Sequence, residues 1–190
     1  MGNPKLRTLQ KQHPKFFRAV AADAKTALAY RAEEFEQNRV RLAVQIIRLS
    51  WVSDAFLAQI FYRAKARLQY FRIPIIPMIL HRLAMMHSQV CIGNPVVIEP
   101  GIYIAHGQVV IDGFTKIGSG VVIFPWVTIG LKAGNFQGPM IESGVHIGTG
   151  AKVIGPITIG KGAIVGANAV VIKNVADLQT VAGIPAAPID

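Results

Sequence analysis

The sequence predicts a mainly β chain: a left-handed parallel β-helix of six-residue repeats, preceded by an α-helical N-terminal region. Three observations carry this expectation. Aliphatic residues recur at every sixth position through the second half, two interruptions break that rhythm at defined places, and the basic excess is confined to the first half.

The period is the strongest signal. Ile92, Ile98 and Ile104 open it; Ile111, Ile117, Ile123 and Ile129 continue it; Ile141, Ile147, Val153, Ile159, Val165 and Val171 complete it. Several hexads read almost alike (IGSGVV, IGTGAK, IGKGAI, VGANAV), and the fifth position is usually small or β-branched, as at Val96, Thr115, Val121, Ala151 and Ala169. A helix repeats near 3.6 residues and a one-faced strand every two. Six residues suit a short strand and a bend, with one aliphatic side chain pointing into a shared core. Three such sides close a triangular coil, and successive coils stack as parallel strands. A β-sandwich with regular turns would not hold thirteen aliphatics in phase.

The interruptions are where such scaffolds carry function. Ile104 to Ile111 is a step of seven, so one extra residue enters at His106-Gly107. Ile129 to Ile141 keeps the spacing, but its midpoint is Asn135, and LKAGNFQGPM is expected to leave the coil as a loop.

Residues 1–90 hold 15 Lys and Arg against 5 Asp and Glu; residues 91–190 hold 5 of each. Helices are expected over Pro14 to about Gln37 and over Val40 to about Tyr70, followed by an amphipathic segment from Met78 to His87. Arg41, Arg48, Arg63 and Arg67 are expected to form a basic face on the second helix. The expected division is a basic helical region over 1–88, the β-helix over 89–178 and a C-terminal tail over 179–190. The chain is 52% hydrophobic and 16% charged, so it can bury a sizeable core. A single cysteine, Cys91, excludes a disulfide framework and a cysteine-based zinc site, and fits a cytoplasmic setting. The opening MGNPKLRTLQ leads into no apolar run and does not read as a signal peptide. The Ile73–Leu80 stretch, with Pro74 and Pro77, is too short to span a bilayer. No nucleic-acid-binding motif accompanies the basic charge. A solvated helical face is the default reading of that charge, and peripheral contact with anionic membrane lipids is the second.

The hexads, the His106-Gly107 interruption and the ending VAGIPAAP resemble the hexapeptide-repeat acyltransferases, in their serine acetyltransferase-like branch, which includes O-acetyltransferases of polysaccharide gene clusters. IPIIPMILHRL, AHGQVVID and GAKVIGPITIGKGAIVGANAVVIKNV carry the likeness, over about residues 71–187. The resemblance implies a homotrimer or a dimer of trimers, with acetyl-CoA as co-substrate, no metal, and direct transfer to a hydroxyl acceptor. Serine is the first acceptor, as in cysteine biosynthesis, and a sugar or lipid-linked saccharide the alternative. It implies His106 as general base; an imidazole titrates near neutrality and suits that task. Asp112 or a backbone carbonyl is the candidate to orient the ring. Gly130, Thr149 and Ala167 match CoA-binding positions, with Lys173 for the phosphate end and Gly150, Ala151 and Ala169 leaving room for the pantetheine arm. Three positions depart from the branch: Ala105 replaces an aspartate, Gly138 a second histidine, and Ile189-Asp190 a terminal isoleucine that docks a partner sulfhydrylase. Two other classes stay in view. A zinc carbonic anhydrase needs three histidines, and the coils offer only His106 and His146. A trimeric scaffold without catalysis would have no need of the His106 interruption.

Overall fold

The computed structural model describes residues 4–189. Met1–Asn3 and Asp190 lie outside the described residues, and so do the parts of the expectations on the opening segment and the Ile189-Asp190 ending that rest on them.

Residues 90–182 wind into a three-sided parallel prism of about five turns. The strands are β1 (Val90–Ile92), β2 (Val97–Ile98), β3 (Tyr103–Ile104), β4 (Val109–Ile111), β5 (Lys116–Ile117), β6 (Val122–Ile123), β7 (Thr128–Gly130), β8 (Met140–Ile141), β9 (His146–Ile147), β10 (Lys152–Ile154), β11 (Thr158–Ile159), β12 (Ile164–Val165) and β13 (Val170–Val171). The first face stacks β1, β4, β7, β10 and β13, and the second stacks β2, β5, β8 and β11. The third stacks β3, β6, β9 and β12, and gains β14 (Thr180–Ala182) and the antiparallel β15 (Ala187–Pro188). Part of the segment expected as a C-terminal tail is therefore a strand pair that ends the third face. All thirteen in-phase aliphatics point inward and are at most 2% exposed. Thr115 lies in the same interior, its hydroxyl donating to the Asp112 carbonyl at 2.7 Å. Residues 131–139 leave the coil as expected and fold back so that the Phe114 N–H donates to the Phe136 carbonyl at 3.0 Å.

Five helices precede the prism: α1 (Pro4–Gln10), α2 (Phe16–Tyr30), α3 (Arg39–Val52), α4 (Phe56–Tyr70) and α5 (Ile76–Ser88). Two corrections follow. The long helix expected over Val40–Tyr70 is broken at Ser53–Ala55, and α1 was not expected at all. Asn38 caps α3 by accepting from the N–H groups of Val40 and Arg41. Ser53 and Asp54 are residue types that compete with helical hydrogen bonding, which fits the break.

α4 lies against the open edge of the first coil. A solenoid end leaves a row of unpaired backbone groups, and an apolar core that needs a lid. Here polar side chains pair that edge. Tyr62 Oη donates to the Val96 carbonyl (3.0 Å), and Lys65 Nζ to that of Ile92. Gln59 donates to the Ile102 carbonyl and accepts from the Ile104 N–H, both at 3.2 Å. Arg63 donates to the carbonyls of Ile98 and Glu99. It also forms a two-point ion pair with Asp23 of α2 at 2.9 and 3.0 Å, and both side chains are buried. Asp23 Oδ1 in turn accepts from the N–H groups of Gly101 and Ile102 at 2.8 and 3.1 Å. Arg63 therefore belongs to the interior and not to the expected basic face, and Arg48 is paired with Glu33. Burial pushes the Lys65 amine down to about 8, against the nearby Asp112 carboxylate, which favours its charged form.

Removing one partner of a buried ion pair leaves an uncompensated charge. Asp23→Ala is expected to destabilise the chain by about 3–5 kcal/mol, read from urea unfolding. A loss below about 1 kcal/mol, the scale of an exposed pair, would show that the cap does not depend on it.

Candidate active site

The extra residue between Ile104 and Ile111 produces three consecutive left-handed residues: His106 (φ 61°), Gly107 (φ 92°) and Gln108 (φ 52°). Such a run is costly for residues that carry a Cβ, so contacts must hold it. The end of α5 supplies two of them. The Gln108 N–H donates to the Ser88 carbonyl at 2.9 Å, and the Val109 N–H to that of Gln89 at 3.2 Å. Gly107 is obligatory, since a Cβ there would stand 2.2 Å from the Ser88 carbonyl oxygen.

The third contact is chemical. His106 Nδ1 lies 2.8 Å from Asp54 Oδ2, in the turn that breaks α3 from α4. An ionised carboxylate only accepts, so Nδ1 carries the proton and the Nε2 lone pair of the neutral ring is free. Ser88 Oγ donates to the Asp54 carbonyl, so the turn, the end of α5 and the corner form one network. His106 and Asp54 are both well exposed, open to a substrate.

Asp54, and not Asp112, is thus the carboxylate that meets His106. Asp112 follows β4 at the opposite edge of the first face, where its carboxylate lies over Gly93. Asp54 was missed because it fell inside an expected continuous helix; the Ser53-Asp54 pair was the available signal.

Backbone register places Trp126 (58% exposed), Gly150 and Asn168 on successive coils at the His106 corner: the Trp126 N–H donates to the Gln108 carbonyl, that of Gly150 to Pro125, and that of Asn168 to Thr149. Coils rise by about 4.8 Å, so these residues form a column. Thr149, Gly150 and Ala167 lie in it; Gly130 and Lys173 lie at or beyond the far edge of the first face. Ala151 and Ala169 correct the expectation of open space for a pantetheine arm. Both are fully buried, pointing into the prism, and their N–H groups donate to Gly148 and Gly166. Gly138 has no room for a side chain, because a Cβ would stand 2.1 Å from Thr115 Oγ1. His146 points outward as expected, but its Nε2 lies 3.2 Å from Tyr30 Oη. Tyr30 stacks on Tyr103 at 4.9 Å. Among the described residues no group of three or more His, Cys, Asp or Glu is placed to hold a metal ion.

Residues 138–173 match the family model for the bacterial transferase hexapeptide (six repeats). A serine acetyltransferase of Bacillus pumilus is 39% identical over 133 residues, which cover 68% of this chain and 58% of that enzyme. The soybean serine acetyltransferase apoenzyme superposes with a TM-score of 0.75 at 31% identity, covering 94% of this chain and 71% of the other. This chain belongs to the serine acetyltransferase-like branch of the hexapeptide-repeat transferases. A Neisseria gonorrhoeae member, solved in complex with serine, superposes with a TM-score of 0.77 at 25% identity, covering 95% of this chain and 72% of the other. Against the Bacillus pumilus member the chain spans little more than half of the relative's length. The likeness to the solved members of the branch extends through the helices that cap the prism, beyond the repeats that define the family model.

Nitrogen-15 NMR of the His106 ring tests the geometry. In the neutral ring Nδ1 is expected to be protonated. Asp54→Ala should release it to a mixture of tautomers, whereas Asp112→Ala should leave it unchanged. A wild-type ring protonated on Nε2 would contradict the assignment.

Proposed function

We propose that this chain is an acetyl-CoA-dependent O-acetyltransferase that moves the acetyl group directly to a hydroxyl, with serine as the first acceptor to test and His106 as general base. The observation that carries the proposal is the imidazole held through Nδ1 by Asp54 at the corner where one extra residue enters the repeat. Membership of a branch whose relatives are serine acetyltransferases supports the reaction class.

In this reading Nε2 takes the proton of the acceptor hydroxyl as its oxygen attacks the thioester carbonyl. The tetrahedral intermediate collapses with cleavage of the carbon–sulfur bond, and the imidazolium returns the proton to the departing CoA sulfur. The Asp54 carboxylate balances the ring's positive charge between these steps, and Ser88 holds the carboxylate's backbone. The Thr149–Gly150 and Ala167 segments are the part of the corner column free to receive the CoA arm, with Lys173 for its phosphate end.

The exposed Trp126 and Val110 beside this corner support burial by a neighbouring copy, in a homotrimer or a dimer of trimers. Val40, Val44, Ile47 and Trp51 form an exposed stripe on α3 beside Arg39 and Arg41, and support peripheral contact with an anionic membrane. No helix among the described residues is long and apolar enough to cross a bilayer. Acetyl-CoA use and the Cys91 thiol suit a cytoplasmic setting.

Release of CoA thiol from acetyl-CoA, with and without serine and with sugar acceptors, tests the proposal. His106→Ala should bind acetyl-CoA nearly as wild type does and lose roughly 10²–10⁴-fold in transfer, while His146→Ala changes the rate little. Full transfer by His106→Ala would overturn the mechanism.

A further inference from the structure

The helical layer contains a binding-sized feature that the proposed reaction does not use. α2 and α4 run antiparallel: Asp23 pairs with Arg63, and the start of α2 lies beside the later turns of α4. α3 packs with them around Leu28, Leu49 and Phe56, towards the end of α2 and the start of α4. At the opposite end, between the start of α2 and the last turns of α4, the trough stays open. It forms a groove of about 540 Å³ lined by Lys15, Phe16, Phe17, Arg18, Ala64, Arg67 and Leu68.

We propose that this groove binds a single anionic amphiphile, its hydrocarbon chain between Phe16, Phe17, Ala64 and Leu68 and its acidic head against Lys15, Arg18 and Arg67. Size and charge carry the inference. The volume lies in the range of small-molecule sites. Phe17 stands 84% exposed at the groove, an apolar ring that an occupant would cover. Among the described residues three cations border the groove and no acidic residue lines it. None of the three belongs to the ion pairs formed among the described residues. Arg67 is held instead by aromatic rings, 4.6 Å from the centroid of Phe71 and 5.0 Å from that of Tyr70, so its charge is positioned without being neutralised. A neutral lipid would leave these charges unmatched, and a second copy of the same face would bring three more cations to them. Along α4, Arg67 is about 20 Å from Asp54, so an occupant here need not overlap the His106 site.

The experiment uses the whole protein and single-chain lipids below their micelle-forming concentration. Oleoyl-lysophosphatidylglycerol is the anionic probe, oleoyl-lysophosphatidylcholine the zwitterionic one, and inorganic phosphate the test for a head-only site. Calorimetry and carbon-13 methyl NMR read the binding. The anionic lysolipid should bind one to one and shift the methyls of Ala64 and Leu68, at least about tenfold more tightly than the zwitterionic lysolipid; phosphate should not saturate. Ala64→Trp fills the groove, and Lys15→Glu with Arg18→Glu reverses exposed charges with little risk to folding. Each should weaken the anionic lysolipid about tenfold or more and leave acetyl-CoA binding unchanged. Equal affinity for the two lysolipids, saturable phosphate binding of equal strength, indifference to both variants, or binding only above the micelle threshold would overturn the proposal. So would methyl shifts that follow protein concentration, which would mark the groove as a contact between copies.

Discussion

The rest of the structure depends on how the first coil of the prism is closed. The inner coils have a neighbour on each side, but the strands at Val90–Ile92, Val97–Ile98 and Tyr103–Ile104 have one edge that no other strand pairs. Water cannot serve that edge, because the prism interior opens beside it. Arg63, Asp23, Gln59, Tyr62 and Lys65 serve it instead, donating to or accepting from backbone groups of that coil. Each buried polar group left unpaired costs about 1–3 kcal/mol, so these bonds fix the position of α4 tightly. The helical region is therefore a lid built into the fold, and Ala55, Ala58 and Tyr62 share one core with the coil aliphatics.

That constraint reaches the candidate active site. Asp54 sits in the turn leading into α4, and α4 is held in register with the first coil, so the carboxylate arrives at the corner where His106 is displayed. The left-handed run at His106–Gln108 is tolerable because Ser88 and Asp54 both bond to it. Strain at the corner and stability at the cap are thus linked through one turn and one helix end. Ala105, where relatives of the branch are expected to carry an aspartate, is buried. The carboxylate that meets His106 comes from the lid instead of the coil.

The coil was legible because its signal is repeated: thirteen positions give the same answer, and a local accident cannot shift the phase. The same regularity made the two interruptions visible, and the second did leave the coil as a loop. What failed to show was set by single tertiary contacts. Arg63 reads as one more arginine on a basic helix, and only the coil edge and Asp23 make it an interior residue. Asp54 lies in a stretch that favours helix on both sides, with only the Ser53-Asp54 pair to mark a break, and Asp112 is nearer to His106 in sequence while standing at the other edge of a face in space. Ala151 and Ala169 are small enough to suggest close approach of a pantetheine arm, but the fifth position of the hexad, where they stand, points inward.

In the proposed mechanism His106 and Asp54 act as one unit, with the helical lid supplying half of it. A double-mutant cycle on kcat/KM for acetyl transfer measures that unit directly, using His106→Ala, Asp54→Ala and the two combined. Asp54→Ala is expected to slow the wild type but to add almost nothing once His106 is absent, so that the double variant matches His106→Ala. Independent, multiplicative losses would contradict it, and would mean that the carboxylate acts elsewhere than through the imidazole.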